Sequence, residues 1–533
     1  SGIELAYDDY LSGKDGQSIL QRDAKGKIIM PINSTTQQQK SGHNVILTID
    51  NVLQTIAEEE LKQAVQQFNA RGGNVIISNP NTGEILTMAS APGFDANHAT
   101  RYQPETWRIR AITDIFEPGS TFKIVTMMSA LAGKYKKLND IIYCENGRFE
   151  MFGEQINDAE KHGWLSVKNV FVHSSNIGTA KIAQEIGKEN LFVASRKFGF
   201  GNKTGIELPG EVTGILKKPS EWSGFTLAAV SYGHEVAVTP LQVAMAYGAI
   251  ANGGTLMKAT IVKEITDQEN RFIYKFQPQR IRKVMEPETA RELAAIMVDV
   301  VEKGTGQSAK IPNIKIAGKT GTAQKPLLNG KGYSTTKFVA SFAGFYPAEG
   351  PKLLIYVTID EPYPIHSGGN VAAPAFRNIL KRILKLYNLP TDPYLTEAPD
   401  ESPNLLPELI GRSKETALHV LKDLNIEPQI YGQGEFVQKL RLTTTMDKEE
   451  NRQIMLTLAD YPQESEYTTI PDLKGMSLRK AVSELTRKGL KVKIFGSGRV
   501  VSQEPEAGSK SKVGATCVIE CEPATKLTTI AKY

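Results

Sequence analysis

Three cysteines in 533 residues, Cys144, Cys517 and Cys521, are too few for a disulfide framework. The last two lie in the strand-like run ATCVIECEP. Four residues along a strand span ~13 Å, beyond the ~7 Å reach of a disulfide, so no bridge is expected there. Net charge is also small: 63 Lys and Arg against 58 Asp and Glu leave +5. No Arg/Lys block is interleaved with aromatics, which excludes nucleic acid as a partner. No apolar run reaches the ~18–20 residues of a membrane helix; LAAVSYG and LLIYVTI have the lengths of core elements. There is no signal-peptide pattern. The chain opens on SGIELAYDD, within folded-looking sequence, which points to an upstream segment removed from it. No HExxH and no Cys/His cluster exists, and the seven histidines are scattered, so no metal is expected.

What is present divides the chain. Its length calls for two to four domains. Residues 1–43 are polar and turn-rich, with short strand-like pieces such as KIIMPI. NVILTID reads as a strand, and Asp50 is placed to cap a helix over DNVLQTIAEEELKQAVQQF. GNVIISNPNTGEILTMAS reads as a hairpin around Asn79–Gly83. Helical stretches dominate from about 120 to 300. Three strand-like runs follow, IKIAGKTGTAQ, KFVASFAGFYP and KLLIYVTIDEP, with a turn at Ala348–Pro351, and the helix AAPAFRNILKRILKLY closes the block. Strands, helices, then strands again predict an α+β domain whose sheet is built from both ends of the segment.

Beyond it, LPTDPYLTEAPDESPN reads as a linker. A repeat follows: residues 406–434 align without gaps on 470–498 at a constant offset of 64. Each copy reads as turn, Ser-capped amphipathic helix, left-handed C-cap and strand. Gly489 fits that cap, and Asn425 holds the matching place.

The chemistry concentrates in three short motifs. In Glu117-Pro118-Gly119-Ser120-Thr121-Phe122-Lys123, a Pro-Gly turn leads into an apolar helix that Ser120 begins. A hydroxyl there feels the positive end of the helix dipole. Lys123 lies one turn on, on the same face. Burial of that face would lower the lysine pKa toward that of a base, the Ser-Lys form of nucleophilic catalysis. Ser-x-x-Lys alone is weak, since Ser334/Lys337, Ser477/Lys480 and Ser509/Lys512 also match; those three read as solvated surface. The second motif, Ser174-Ser175-Asn176, opens another helix, where Ser and Asn are ordinarily caps. The third, Lys319-Thr320-Gly321-Thr322, follows the strand IKIAG. A second Lys-Thr-Gly at Lys203–Gly205 follows a Gly/Asn loop and is set aside, as is Ser402-Pro403-Asn404 in the linker. The ordered trio is specific where each member is not.

That trio resembles the penicillin-binding proteins and serine β-lactamases. RAITDIFEPGSTFKIVT, FGFGNKTGIELPGE, VAVTPLQVAMAYGAIANGG, IAGKTGTAQ and GGNVAAPAF are similar to segments of class B, monofunctional penicillin-binding proteins. The resemblance implies an α+β transpeptidase domain over 44–390, an antiparallel sheet with a helical subdomain. Residues 1–43 resemble the end of that family's N-terminal pedestal, a dimerisation-like domain. After a linker at 391–404, residues 405–466 and 467–524 resemble two small PASTA α/β units, and 525–533 form a tail. The first unit departs from the pattern after Gln438, where KLRLTTTMDKEENRQ replaces the Pro-x-x-Gly turn.

By resemblance the chain is a peptidoglycan D,D-transpeptidase acting on D-Ala-D-Ala stem peptides, inhibited by β-lactams. Ser120 would be the nucleophile and Lys123 its base. Ser174 and Asn176 would relay the proton and position Lys123 and substrate, and Lys319 would supply positive potential. Thr320 and Thr322 would bind the terminal carboxylate, Ser120 and Thr322 N–H groups would form the oxyanion hole, and Gly321 would permit close approach of the strand. The same resemblance implies no metal and no cofactor. It implies a place on the extracytoplasmic face of the bacterial membrane, anchored by an N-terminal helix absent from this chain. PASTA repeats on a class B enzyme point, by the same resemblance, to septal division, with a sporulation-specific role left open. The resemblance implies division-complex membrane proteins as partners, and a glycosyltransferase, since no such segment is present here. The alternatives are a D,D-carboxypeptidase or β-lactamase, and a PASTA-based cell-wall sensor or scaffold.

Overall fold

The computed structural model describes residues 2–14, 20–22, 25, 28–31, 40–327, 332–387, 414–415, 418, 428–434, 436–444, 452–459, 467–496 and 498–522. It divides into two compact units, Ser1–Ile383 and Leu384–Tyr533. No described helix is long and apolar enough to cross a membrane.

The first unit is built on five strands: β1 (Gly72–Ser78), β2 (Ile85–Ala91), β3 (Ala317–Pro326), β4 (Tyr333–Tyr346) and β5 (Leu353–Asp360). Their order is β3-β4-β5-β1-β2, and every neighbouring pair is antiparallel. The sheet therefore closes across some 220 residues of sequence, as the strand–helix–strand pattern predicts. β1 is buried at every position, and β5 at all but its last. Such strands need cover on both faces, which explains their continuous Val/Ile/Leu runs.

One cover is a helix pair. α1 (Asn51–Gln67) starts where Asp50 accepts hydrogen bonds from the Val52 and Leu53 amides, the expected cap. The closing helix, Gly368–Tyr387, packs Phe376 edge-on against Phe342 of β4, ring centroids 4.7 Å apart. Its Arg382 bridges to Glu59 and Glu60 of α1 at 2.7 and 2.9 Å.

The other cover is helical, and α2 (Lys123–Ala132) is its centre. Residues 123–130 of α2 are all buried, so the helix is core on every face, with Lys123 as its buried charge-bearing group. Around the site stand α3 (Asn176–Ile186), α4 (Pro240–Ala251) and α5 (Pro287–Glu302). The region from 120 to 300 is less purely helical than the sequence suggests. A hairpin of Arg148–Met151 and Glu154–Asn157 stands there, and five-residue or shorter strands run between 255 and 283. Such strands are too short for a periodicity signal.

In the second unit the later repeat is complete. Helix α6 (Leu478–Arg487) lies beside a sheet of β6 (Lys491–Gly496), β7 (Arg499–Glu504) and β8 (Thr516–Glu522), ordered β6-β8-β7. Leu473, Leu485, Leu490 and Ile519 are fully buried in its core. Gly489 takes φ +70°, the left-handed cap expected there. In the earlier repeat, strand Pro428–Tyr431 pairs parallel with Arg452–Ala459, which pairs antiparallel with Phe436–Thr444. That is the same strand order as in the later copy. The expected Asn425 cap and the linker lie outside the described residues. All three cysteines are free and buried.

Candidate active site

Gly119, at φ +54°, turns the chain so that Gly119–Phe122 form a single 3-10 turn before α2 begins at Lys123. Ser120 therefore stands in a tight turn ahead of the α-helix rather than at its first α-helical residue. The turn is fixed from several sides. The Thr121 hydroxyl donates to Pro118 O at 2.7 Å, and Tyr247 Oη of α4 donates to Thr121 O at 2.9 Å. Ser120 is half-buried and opens on a cleft of about 770 Å³.

Lys123 sits beneath it and is only 1% exposed. Its Nζ donates to Ser174 O at 2.6 Å, Asn176 Oδ1 at 2.7 Å and Ser174 Oγ at 3.2 Å. Desolvation brings its pKa down to about 7, against the pull of Asp158, which favours the charged form.

The Ser174-Ser175-Asn176 motif divides its labour. Ser175 is the cap of α3: its hydroxyl accepts from the Gly178 amide at 2.9 Å. Ser174, one residue earlier, holds φ +60°, unusual for a residue with a Cβ and a conformation often kept at functional sites. It aims Oγ between the two lysines. Asp158, at the end of the short hairpin, holds the motif in place. Its carboxylate accepts from Ser175 Oγ at 2.5 Å and from the amides of Asn176 and Ile177 at 2.6 and 3.0 Å.

Lys319-Thr320-Gly321-Thr322 lies inside a strand, as the strand-like run IKIAGKTGTAQ predicts, rather than after one that ends at Gly318. β3 runs Ala317–Pro326 along the edge of the sheet, with Lys319 opposite Ala343 and Thr322 opposite Ala340. Lys319 is fully buried and donates to Ser174 Oγ at 2.8 Å. Burial, and then the charge of Lys123, hold its pKa well below the usual lysine range. Thr320 and Thr322 line the cleft. Their hydroxyls meet Thr305 Oγ1 at 2.7 Å and the Gly368 amide at 2.9 Å. Gly321 lets β3 lie against the serine turn: a Cβ there would stand 2.4 Å from Ser341 Oγ and 3.1 Å from Pro118 O.

All eight residues singled out in the sequence thus meet at one cleft. Within the same unit, Lys203–Gly205 and Ser334/Lys337 do not line it, and Ser402-Pro403-Asn404 lies outside the described residues. Thr204 of the second Lys-Thr-Gly gives its amide and hydroxyl to Glu211, each at 2.6 Å. Ser334 is buried, not solvated as expected, because its hydroxyl accepts from the amides of Thr336 and Lys337.

A further group escaped the motif reading. Glu117, before the Pro-Gly turn, accepts from the Glu235 amide at 3.1 Å and from Tyr333 Oη at 3.2 Å, with His234 Nδ1 3.7 Å away. Burial pushes Glu117 up to about 7 and, with Lys123, takes His234 down to about 4. The members come from three distant stretches, and only the glutamate stands beside a motif.

A turn-borne serine, a buried lysine of lowered pKa, a shared Ser/Asn pair and a Lys-Thr-Gly edge strand form the geometry of a serine acyltransferase. The model of the penicillin-binding protein transpeptidase domain matches residues 73–381, more than half of the chain. The chain belongs to this family.

A penicillin-binding protein dimerisation domain matches residues 1–47, and a PASTA domain matches 468–519. These make it a class B penicillin-binding protein, a peptidoglycan D,D-transpeptidase. Among similar proteins, the probable peptidoglycan D,D-transpeptidase PbpC of Pseudomonas aeruginosa is 34% identical over 73% of this chain and 67% of its own length. Stage V sporulation protein D of Bacillus subtilis is 37% identical over 71% of this chain and 59% of its own. Penicillin-binding protein 3 of Mycobacterium tuberculosis, solved with aztreonam, superposes with a TM-score of 0.63 and 31% identity, covering 68% of this chain and 83% of that one.

Proposed function

We propose that Ser120 Oγ attacks the carbonyl of the penultimate D-Ala of a stem peptide, Lys123 Nζ taking its proton. The ester forms as the amide bond to the terminal D-Ala breaks, and Ser174 Oγ passes the proton on to the departing amine. An amine of a second stem peptide then attacks the ester, forming the cross-link and returning the proton to Ser120. One observation carries this reading: Ser174 Oγ lies within 3.2 Å of Lys123 Nζ and 2.8 Å of Lys319 Nζ, beside Ser120 in the cleft. Asn176 holds Lys123. The Thr320 and Thr322 hydroxyls and Lys319 receive the terminal carboxylate. The Ser120 and Thr322 amides bind the oxyanion, at ~3 kcal/mol per donor in comparable sites.

β-Lactams enter as cyclic amides that acylate the same serine; the Mycobacterium relative was solved with one. The site belongs to a domain over 44–390, with a linker at 391–404 and a first, divergent PASTA-like unit over 405–466. The chain works on the extracytoplasmic face of the membrane in septal wall synthesis, beside a glycosyltransferase and division proteins. A sporulation-specific wall is the second reading, favoured by the 37% identity with stage V sporulation protein D.

Mass spectrometry after incubation with a labelled penicillin tests the site. One adduct per chain is expected on the Ser120 peptide and none in Ser120→Ala. An adduct on Ser334, Ser477 or Ser509 would refute the assignment.

A further inference from the structure

His162 and His173 stand eleven residues apart in a sequence whose histidines look dispersed, and folding brings their rings together at a tilt of 45°. Glu160 and His162 lie on the loop between strands Glu154–Asn157 and Trp164–Ser166. His173 is the C-cap of helix Val167–Val172 and directly precedes Ser174. The two rings lie 4.9 Å apart, and His162 Nε2 is 3.4 Å from Glu160 Oε2. One potential ligand atom from each of the three residues lies within 4.8 Å of the others.

The geometry points to a zinc-class divalent cation held by Glu160, His162 and His173 at the mouth of the catalytic cleft. Its first support is an orphan. His162 Nε2 is buried and has no hydrogen-bond partner, although the Glu160 carboxylate is near. A buried ring nitrogen left unpaired is costly, and metal ligation removes that cost. Its second support is donor chemistry: two imidazoles and one carboxylate suit zinc and its neighbours, whereas calcium and magnesium take oxygen shells. Its third is scale. Tetrahedral bonds of about 2.0–2.1 Å set ligand atoms roughly 3.3 Å apart, which the His162–Glu160 pair already matches. The other two pairs both involve His173 and lie within 4.8 Å, so binding draws His173 and the 68% exposed Glu160 side chain inward.

Three protein ligands leave the fourth position of the tetrahedron open. Glu160 and His173 both line the cleft, so the ion would stand beside the substrate path. It would also fasten the loop that follows Asp158 to the residue before Ser174. Asp158 itself holds Ser175 and Asn176. Occupancy therefore stiffens the side of the cleft that positions Lys123. This inference does not rest on the role proposed for Ser120.

The test uses the full chain stripped of metal with chelator, then titrated calorimetrically with zinc chloride. One zinc per chain is expected, together with a rise in thermal midpoint. His162→Ala should weaken binding at least about tenfold and abolish the rise, while acylating with penicillin at the metal-free wild-type rate, which shows that it is folded. His98→Ala removes another histidine beside a carboxylate, Asp95, and should bind zinc like the wild type. No binding by the wild type, or equal affinity in His162→Ala, overturns the inference. So does loss of binding in His98→Ala instead.

Discussion

Replacing Lys319 by alanine tests the electrostatics of the cleft most directly. Its amine is fully buried, 2.8 Å from Ser174 Oγ, and faces the same hydroxyl as Lys123. The substitution has two separable effects. It removes the charged donor that would meet the substrate carboxylate; losing such a preorganised group costs ~2–4 kcal/mol in the transition state, roughly 10²–10³ in rate. With the carboxylate bound it also removes the charge on Lys319 that favours the neutral form of Lys123, so the Lys123 pKa in that complex climbs and less of the neutral base is present at pH 7. Each unit of climb costs up to about tenfold. Stopped-flow acylation by a fluorescent penicillin at pH 7 and pH 9 resolves them. The second loss should be recovered at the higher pH and the first should persist. Lys203→Ala, at the other Lys-Thr-Gly, should acylate like the wild type. A Lys319→Ala rate within about threefold of wild type, or a larger loss in Lys203→Ala, would show that the wrong lysine has been placed in the site.

Two more outcomes are expected. Lys123 must be neutral to accept a proton, and neutrality is gained as pH rises through its pKa, so acylation should increase roughly tenfold from pH 6 to pH 8 with a midpoint of about 7. Glu117 also titrates near about 7, so Glu117→Gln should leave that midpoint in place; a midpoint that moves away would assign the profile to the carboxyl. Gly321→Ala puts a Cβ 2.4 Å from Ser341 Oγ and 2.9 Å from Thr121 Cγ2, overpacking worth ~1–3 kcal/mol. A lower thermal midpoint and slower acylation should both result, and an unchanged midpoint would mean that β3 yields freely.

The features legible in the sequence are those whose cause is local. Asp50 caps α1 because its own carboxylate reaches amides two and three residues on. The β1–β2 hairpin declares itself by its Asn/Pro/Gly turn, and Gly489 by its left-handed cap. The motif trio was legible because each member carries its own backbone signal. What escaped needs distant partners. The run IKIAGKTGTAQ reads as a strand from its own residues, but that it forms the sheet edge lying against the serine turn depends on its pairing with β4. Ser334 looked like surface because nothing in its neighbours reveals that their amides fold back onto its hydroxyl. Asp158 and His162 sit beside no motif, Glu117 opens one that does not name its role, and each acquires its role from a segment it meets only after folding.

The pair of lysines gives the site a property that neither has alone. Both are buried, and both donate to one hydroxyl, Ser174 Oγ. Desolvation opposes charge on each, and a charge on either opposes charge on the other, so the empty cleft favours at most one cation. On the roles proposed above, a substrate carboxylate arriving at Thr320 and Thr322 on β3 changes this balance. The anion favours charge on Lys319, the lysine of its own strand. A charged Lys319 then favours the neutral form of Lys123, which is the form able to take the Ser120 proton. Ser174, held in its left-handed conformation between them, is the hydrogen-bonded path along which the proton can redistribute. Binding the correct anion thus prepares the base, and a ligand without the carboxylate would meet a Lys123 that is more often charged and a slower serine.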